Sequence, residues 1–345
     1  MSLNPKVGFF SLGKVIALKV ALGCAISVFS PSAHAFTPDH VQKLKLSKSC
    51  TACDLSGGPL SGADLSNGNV FGSNLAAADL ENSLLKTAIL TSANLADAVL
   101  AGANLEGADL ANANLSGSDL SRAVLTGSNL SEAVLYKANL SDVSLVRANL
   151  SGTNLVEADL SGANLYGIIF SRTNLTDANI ADANLAGVNL SGLELTGANI
   201  SNANLAGANL IKANLSGADL SGANLSGADL SGADLTGANL SEARLAGTIL
   251  NDAILSDITL KQTVFRGAQY NQGTLFPETL DKAQVQLVLS SSETTILEYE
   301  RAGAATGEPE IIAIETRPIP RSIPEPTSLI PLVLVACWLI SRKAR

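Results

Sequence analysis

Catalytic chemistry is scarce in this sequence. Its 345 residues include two histidines, one tryptophan, one methionine and four cysteines, and aromatic residues make up 4%. The histidines are His34 and His40, and no Ser-His-Asp, HExxH or phosphate-loop pattern accompanies them. An enzyme, a bound cofactor and a metal site are therefore not expected. The Gly-rich nonapeptide of calcium-binding solenoids is also missing. Positive charge is sparse: residues 54–270 hold 21 acidic side chains against 9 Lys or Arg, a net charge of −12. That balance argues against direct nucleic-acid binding.

What the sequence has in abundance is a period of five. In "SGADLSGANLSGADLSGADL", residues 216–235, leucine stands at 220, 225, 230 and 235. A helix repeats its apolar face at 3.6 and a half-buried strand at 2, so five fits neither. The leucines share one environment only if the chain turns a corner once per quintet. The register holds without insertion from Leu55 to Tyr270, giving 44 centres of which 38 are Leu. Two residues before the centre, 28 of 44 are Ala; one before, 29 of 44 are Asn or Asp. Leu and Ala two apart point to the same side of an extended segment, so Leu fills a tube while Ala lets the backbone close around it. Asn, Asp, Ser and Gly suit the tight or left-handed conformations of corners. A single side is too narrow to bury its own apolar row, so coils must stack.

Quintets such as "ANLSG" and "ADLSG" resemble the pentapeptide-repeat proteins. The resemblance covers residues 53–270. It implies an all-β fold, a right-handed four-sided parallel β-helix of about 11 coils, about 53 Å long at the usual strand spacing. The charge pattern offers a test of four sides. Acids in the Asn/Asp column (Asp54, Asp64, Asp79, Asp109, Asp119, Asp159, Glu194, Asp219, Asp229 and Asp234) never coincide at spacing 20. At spacing 15, Asp64 meets Asp79 and Asp219 meets Asp234. Stacked like charges are unfavourable, which favours four. Asn164, Asn184, Asn204 and Asn224 align at spacing 20 and are placed for an amide ladder. The acids themselves read as a scattered, solvated row.

The open ends of a β-helix need covers. Residues 36–52 form the amino-terminal cap, with a short helix predicted over 37–49 that puts Val41 and Leu44 on one face. Cys50 and Cys53 follow in inward-facing columns. In an oxidising compartment they can pair as a disulfide; a buried-thiol plug is the alternative. Residues 271–316 form a carboxy-terminal cap and irregular segment, in which Pro277 before "ETLDKAQVQLVL" suits a helix start. Ile249, Ile254 and Val264 replace the polar residue before the centre and offer a seat for that helix, or for "TTILEYE" or "EIIAIE".

The termini speak to location. Residues 1–35 combine lysines, an apolar run and "AHA" at 33–35, the pattern of a signal peptide cleaved after Ala35; an uncleaved anchor and lipidation at Cys24 are the rival readings. Residues 317–326 are a Pro-rich linker ending in Pro324, Glu325 and Pro326, followed over 327–345 by an apolar segment and a basic tail. Residues 327–340 fall short of the ~20 needed for a stable transmembrane helix. This order resembles the PEP-CTERM sorting signal of bacterial envelope proteins, which implies an exosortase-like processing enzyme beside signal peptidase; a plain tail anchor is the alternative. The expected protein is exported to the cell envelope or extracellular matrix, anchored there transiently or stably. It is expected to work as a non-enzymatic rod or scaffold that meets an envelope protein or a polysaccharide. Two other readings are a ligand-binding surface for polysaccharide, a partner protein or ice, and an acidic DNA mimic that protects a topoisomerase. The acidic charge permits the last, but the export signal argues against it.

Overall fold

Each quintet builds one short side and one corner of a tube in the computed structural model, which describes residues 37–278, 280 and 287–289. Parallel bridges join residue n to residue n + 20, beginning with Ser49 to Asn69 and Asp54 to Asn74. Twenty residues are four quintets, so the tube has four sides. The first side runs through Asp54, Asn74 and Asn94, the second through Pro59, Asp79 and Val99, the third through Asp64, Leu84 and Asn104, the fourth through Asn69, Ile89 and Asp109. Leu220, Leu225, Leu230 and Leu235 are fully buried with Ala218, Ala223 and Ala228 between them. Alternation explains this: within a three-residue side the first and third side chains point in and the middle one points out.

The corners correct one expectation. Asn and Asp do not turn the chain; they sit mid-side, at the bridges. The corner is made by the next two residues past the centre. At Leu55 to Gly58 the Gly58 N–H donates to the Leu55 carbonyl at 2.9 Å and Gly57 has φ +64°, the geometry of a type II turn. Of the 43 equivalent positions from Gly57 to Gly267, only 21 are glycine. Ala77, Lys137, Glu157 and Arg172 are among the others, held at φ of 54°, 57°, 57° and 58°. Left-handed backbone costs such residues about 1 kcal/mol each, which stacking on both neighbouring coils must offset.

The amino-terminal mouth is covered by helix α1 (Pro38–Ser47). Proline in its first turn suits the start, and Lys48 ends it in a left-handed conformation with its N–H donating to Leu44 O at 2.8 Å. Val41 and Leu44 are the helix's buried residues. Cys50 and Cys53, buried at this mouth, are joined as a disulfide with Cα atoms 5.6 Å apart. His40 Nδ1 accepts the Asp54 N–H at 3.1 Å, pinning the helix to the first coil.

At the far end, the last residues of the segment expected as a helix form a strand. Strand β1 (Gln269–Tyr270) pairs in parallel with β2 (Val288–Leu289), the last residues of the segment predicted as helical; residues 279 and 281–286 lie outside the described residues, as do "TTILEYE" and "EIIAIE". Ile254 bridges Leu275, a spacing of 21, so the last coil carries one extra residue. Thr274 then occupies the Ala column, and its hydroxyl donates to Leu250 O at 2.8 Å. Phe276 takes the place of the central leucine and meets the Tyr270 ring edge-on at 5.4 Å. Quintet counting stops at Tyr270 because of this single insertion. Ile249 pairs with Gln269 and Ile254 with Leu275, while Val264 stays 46% exposed.

Candidate functional surface

The outward middle residue of each side is where the repeat does its polar work. Asn239 Nδ2 donates to Asp219 Oδ1 at 2.9 Å, and that same oxygen accepts the Ser221 N–H at 3.0 Å. The two bonds have different roles. The Asn or Asp oxygen satisfies the N–H that opens the next corner, and the Asn amide nitrogen ties one coil to the coil below. Asn74, Asn94 and Asn114 form such a ladder on Asp54, at 3.2, 2.9 and 3.1 Å. Asn129 and Asn149 form another on Asp109, at 3.0 and 3.2 Å. Asn179 and Asn199 stand on Asp159, both at 2.9 Å. Of the alignment expected over 164 to 224, two steps form, Asn204 to Asn184 and Asn224 to Asn204, each at 3.3 Å.

Every one of these bonds points the same way, from residue n + 20 down to residue n. The cause is the corner: its N–H fixes the oxygen of each Asn, which leaves the NH₂ facing the preceding coil. A carboxylate has no such NH₂, so an acid ends the ladder beneath it and starts the one above. Asp54, Asp109, Asp119, Asp159, Asp219, Asp229 and Asp234 are thus half-buried structural acceptors, while Asp64, Asp79 and Glu194 are exposed, as the solvated row expected from spacing would have them. The expectation that they avoid one another at spacing 20 fits this role.

Charges at the corners pair across coils. Lys86 meets Glu106 at 3.0 Å and Lys137 meets Glu157 at 3.2 Å, each spanning one coil. The Lys137 ammonium also lies 5.0 Å from the Tyr136 ring centre, and the Tyr136 hydroxyl first, then Glu157, raises its pKa. Arg172 reaches Glu132, two coils away, at 3.0 Å, across Gly152, where a Cβ would collide with the glutamate. Beside the cap, Lys45, Lys48, Ser61, Gly62, Ala63 and Asp64 line an open groove of about 440 Å³. The Lys48 ammonium, 2.8 Å from Asp64, lowers that carboxyl from 3.8 to about 2, with help from the Ser66 N–H.

Of the sequence-predicted site residues, Cys50 and Cys53 are brought together at the cap. Ala35 and Pro324, Glu325 and Pro326 lie outside the described residues. Among the described residues, no cluster of His, Cys, Asp or Glu is placed to hold a metal ion, and no helix is long and apolar enough to cross a membrane. Tyr136 and Tyr166, 37% and 55% exposed, stand on opposite corners and share no surface. The cross-coil ladders and corner pairs were partly hidden in the sequence; reading columns at spacing 20 rather than 5 exposes them.

A four-sided β-helical solenoid with its polar groups paired along its length defines a repeat scaffold. The sequence matches the family described as pentapeptide repeats in eight copies, over residues 88–127, 113–152, 153–192, 189–227 and 228–267. The chain belongs to that family, whose members fold as right-handed quadrilateral β-helices and are generally non-catalytic structural or interaction proteins. It is similar to HetL, a protein involved in heterocyst differentiation regulation in the cyanobacterium Nostoc sp. strain PCC 7120, at 28% identity over 72% of this chain and 99% of that one, with a TM-score of 0.37. It is also similar to a pentapeptide repeat protein of the Arabidopsis thaliana thylakoid lumen, at 32% identity over 29% and 70% of the two chains, with a TM-score of 0.23. A third similarity is to QnrB1, a plasmid-mediated fluoroquinolone resistance protein, at 22% identity over 54% and 94%, with a TM-score of 0.29. These relatives have varied roles. No curated protein matches the chain.

Proposed function

We propose that this protein is an exported, non-enzymatic rod that serves the cell envelope or extracellular matrix as a spacer or interaction scaffold. The observation that carries the reading is the engagement of the surface amides: the outward Asn side chains hold the corners, and many also hold the coil below, as Asn94 does between Asn74 and Asn114. Such a surface is built for stiffness. Export rests on the two termini, a signal peptide cleaved after Ala35 and Pro324, Glu325 and Pro326 as the motif an exosortase-like enzyme would recognise. Pro324 and Pro326 keep the backbone extended for capture. Mass spectrometry of the native protein tests this. Its amino terminus should be Phe36 and its chain should end near the motif, with the protein outside the inner membrane. Glu325→Ala should leave a larger species stalled in that membrane with its β-helix folded. Native protein found there with Arg345 intact would reduce the tail to an anchor.

One observation favours a second reading, an acidic surface that mimics DNA. Between Asn154 and Asn239, the ridge formed by the first side, its corner and the second side bears Glu157, Asp159, Asp177, Glu194, Asp219 and Asp234, with no Lys or Arg. Protection of a topoisomerase by residues 36–316 would support this reading; failure to protect, with envelope localisation, would return the rod to its scaffold role.

A further inference from the structure

On the fourth side the bridges reach Ile169 from Asn149 and resume from Asn189 to Asn209, but none joins Ile169 to Asn189. Among the described residues this is the one interruption in the series that starts at Ser49 and ends at Ile254. At the same level the other three sides stay paired, through Asp159 and Asn179, Asn164 and Asn184, and Asn174 and Glu194. The Phe170 N–H makes no bond to Asn189 and the Asn189 N–H none to Ile168, whereas the equivalent Leu150 N–H reaches Ile169 O at 2.9 Å.

The inward residues account for the gap. Elsewhere on this side the small column holds Ala148, Ala208 and Ala228, all fully buried. Here Ile168 lies directly below Val188, and Phe170 replaces the central leucine. Stacked branched side chains alone do not break a side, since Thr173 below Leu193 keeps the Asn174 to Glu194 bridge; on the fourth side the pair comes together with Phe170, and the combination overfills the tube, which is relieved by moving backbone. Ile168 and Phe170 are 5% and 6% exposed where their neighbours Ala148 and Leu150 are 0%. Ile169 also offers no oxygen to the following corner. That lack alone is insufficient, because Val124 and Val134 lack it too and remain bridged. Below the gap, the Arg172 to Glu132 pair braces the lower coils.

We propose that this gap is a hinge. The tube below and the tube above tilt about the three paired sides, opening and closing the fourth, where Tyr166 and Ile169 are exposed at the lip. A segment with fewer backbone bonds than its neighbours opens at lower free energy. This inference stands apart from the scaffold reading and survives its failure.

Residue-resolved amide exchange on the full chain tests the first half. Phe170 and Asn189 should exchange at least about ten-fold faster than Leu165 and Leu190, and Ile168→Ala with Val188→Ala and Phe170→Leu should remove the difference. Spin-label distances test the motion, with Cys24 and Cys337 replaced by Ser. Labels at Ser131→Cys and Ser231→Cys straddle the gap beside the fourth side; labels at Ser141→Cys and Ser241→Cys straddle the same level beside the second. The first pair should give the broader distance distribution, narrowing in the refilled variant. Equal exchange would overturn the gap, and fast exchange with equal widths would overturn the hinge by leaving a static opening. Both wild-type comparisons hold even if the triple variant does not fold.

Discussion

The direction of the Asn ladders predicts that exchanging one Asn and one Asp will not be neutral. Asp219 lies beneath Asn239 and accepts its amide at 2.9 Å, and Asn239 Oδ1 accepts the Ser241 N–H at 3.1 Å. Asn239→Asp removes a bond to a charged acceptor, worth about 1.5–3 kcal/mol. It also stacks two carboxylates one strand spacing apart, about 5 Å, which at an effective dielectric near 20 repel by up to about 3 kcal/mol. Allowing for partial exposure, a loss of about 2–4 kcal/mol is expected. Asp219→Asn keeps the acceptor and adds an NH₂ aimed at Asn199, which joins the ladder on Asp159 to the one above. Its change should lie within about 1 kcal/mol of zero. The double variant has unchanged composition and net charge but a reversed ladder, and should still be destabilised by about 1 kcal/mol. Urea denaturation followed by circular dichroism measures all three. The penalty depends on pH: stacking like charges raises the folded-state carboxyl pKa, so the penalty in Asn239→Asp is present at neutral pH and disappears as pH falls through that raised value. Equal stabilities for Asn239→Asp and Asp219→Asn at pH 7 would refute the directional ladder.

Other expectations concern core, corner and cap. Leu225→Ala should cost about 2–5 kcal/mol and Ala223→Leu should also destabilise by overpacking, whereas Ser226→Ala outside the tube should change little; equal effects in denaturant would contradict the inward columns. Lys212, at φ 57°, should gain about 1 kcal/mol on replacement by Gly, and Gly227→Ala, at φ +68° with open space around it, should lose about as much, both read from denaturation midpoints. The Ser83 hydroxyl is buried without a partner, so Ser83→Ala should raise thermal stability rather than lower it. Asp64, with its pKa lowered to about 2 by Lys48, contributes stability that is present above about pH 4 and lost as pH falls toward 2. Asp64→Asn should flatten the acid limb of the stability profile in that window.

The sequence alone determined the tube. A single repeated quintet puts Leu and Ala in the same surroundings each time, so one reading of "ADLSG" predicts the interior of every coil over 53–270, while the four sides came from the family resemblance, favoured by acids that never coincide at spacing 20. That works because a side of three residues has no stable alternative: it cannot bury its apolar pair except against the side above and below. Only the tertiary structure decided what depends on residues twenty apart. The direction of the ladders follows from corner N–H groups that orient each amide. The tolerance of lysine or glutamate in left-handed corners follows from support by neighbouring coils. The break between Ile169 and Asn189 lies where Ile168 meets Val188 through space beside Phe170. It decided the last coil too, where one inserted residue carries the chain on to Phe276 and Val288–Leu289, the end of the segment after the proline, pair as a strand. Periodicity reports what all coils share, whereas the surface and its single gap come from particular pairs of side chains that meet only once the chain has wound.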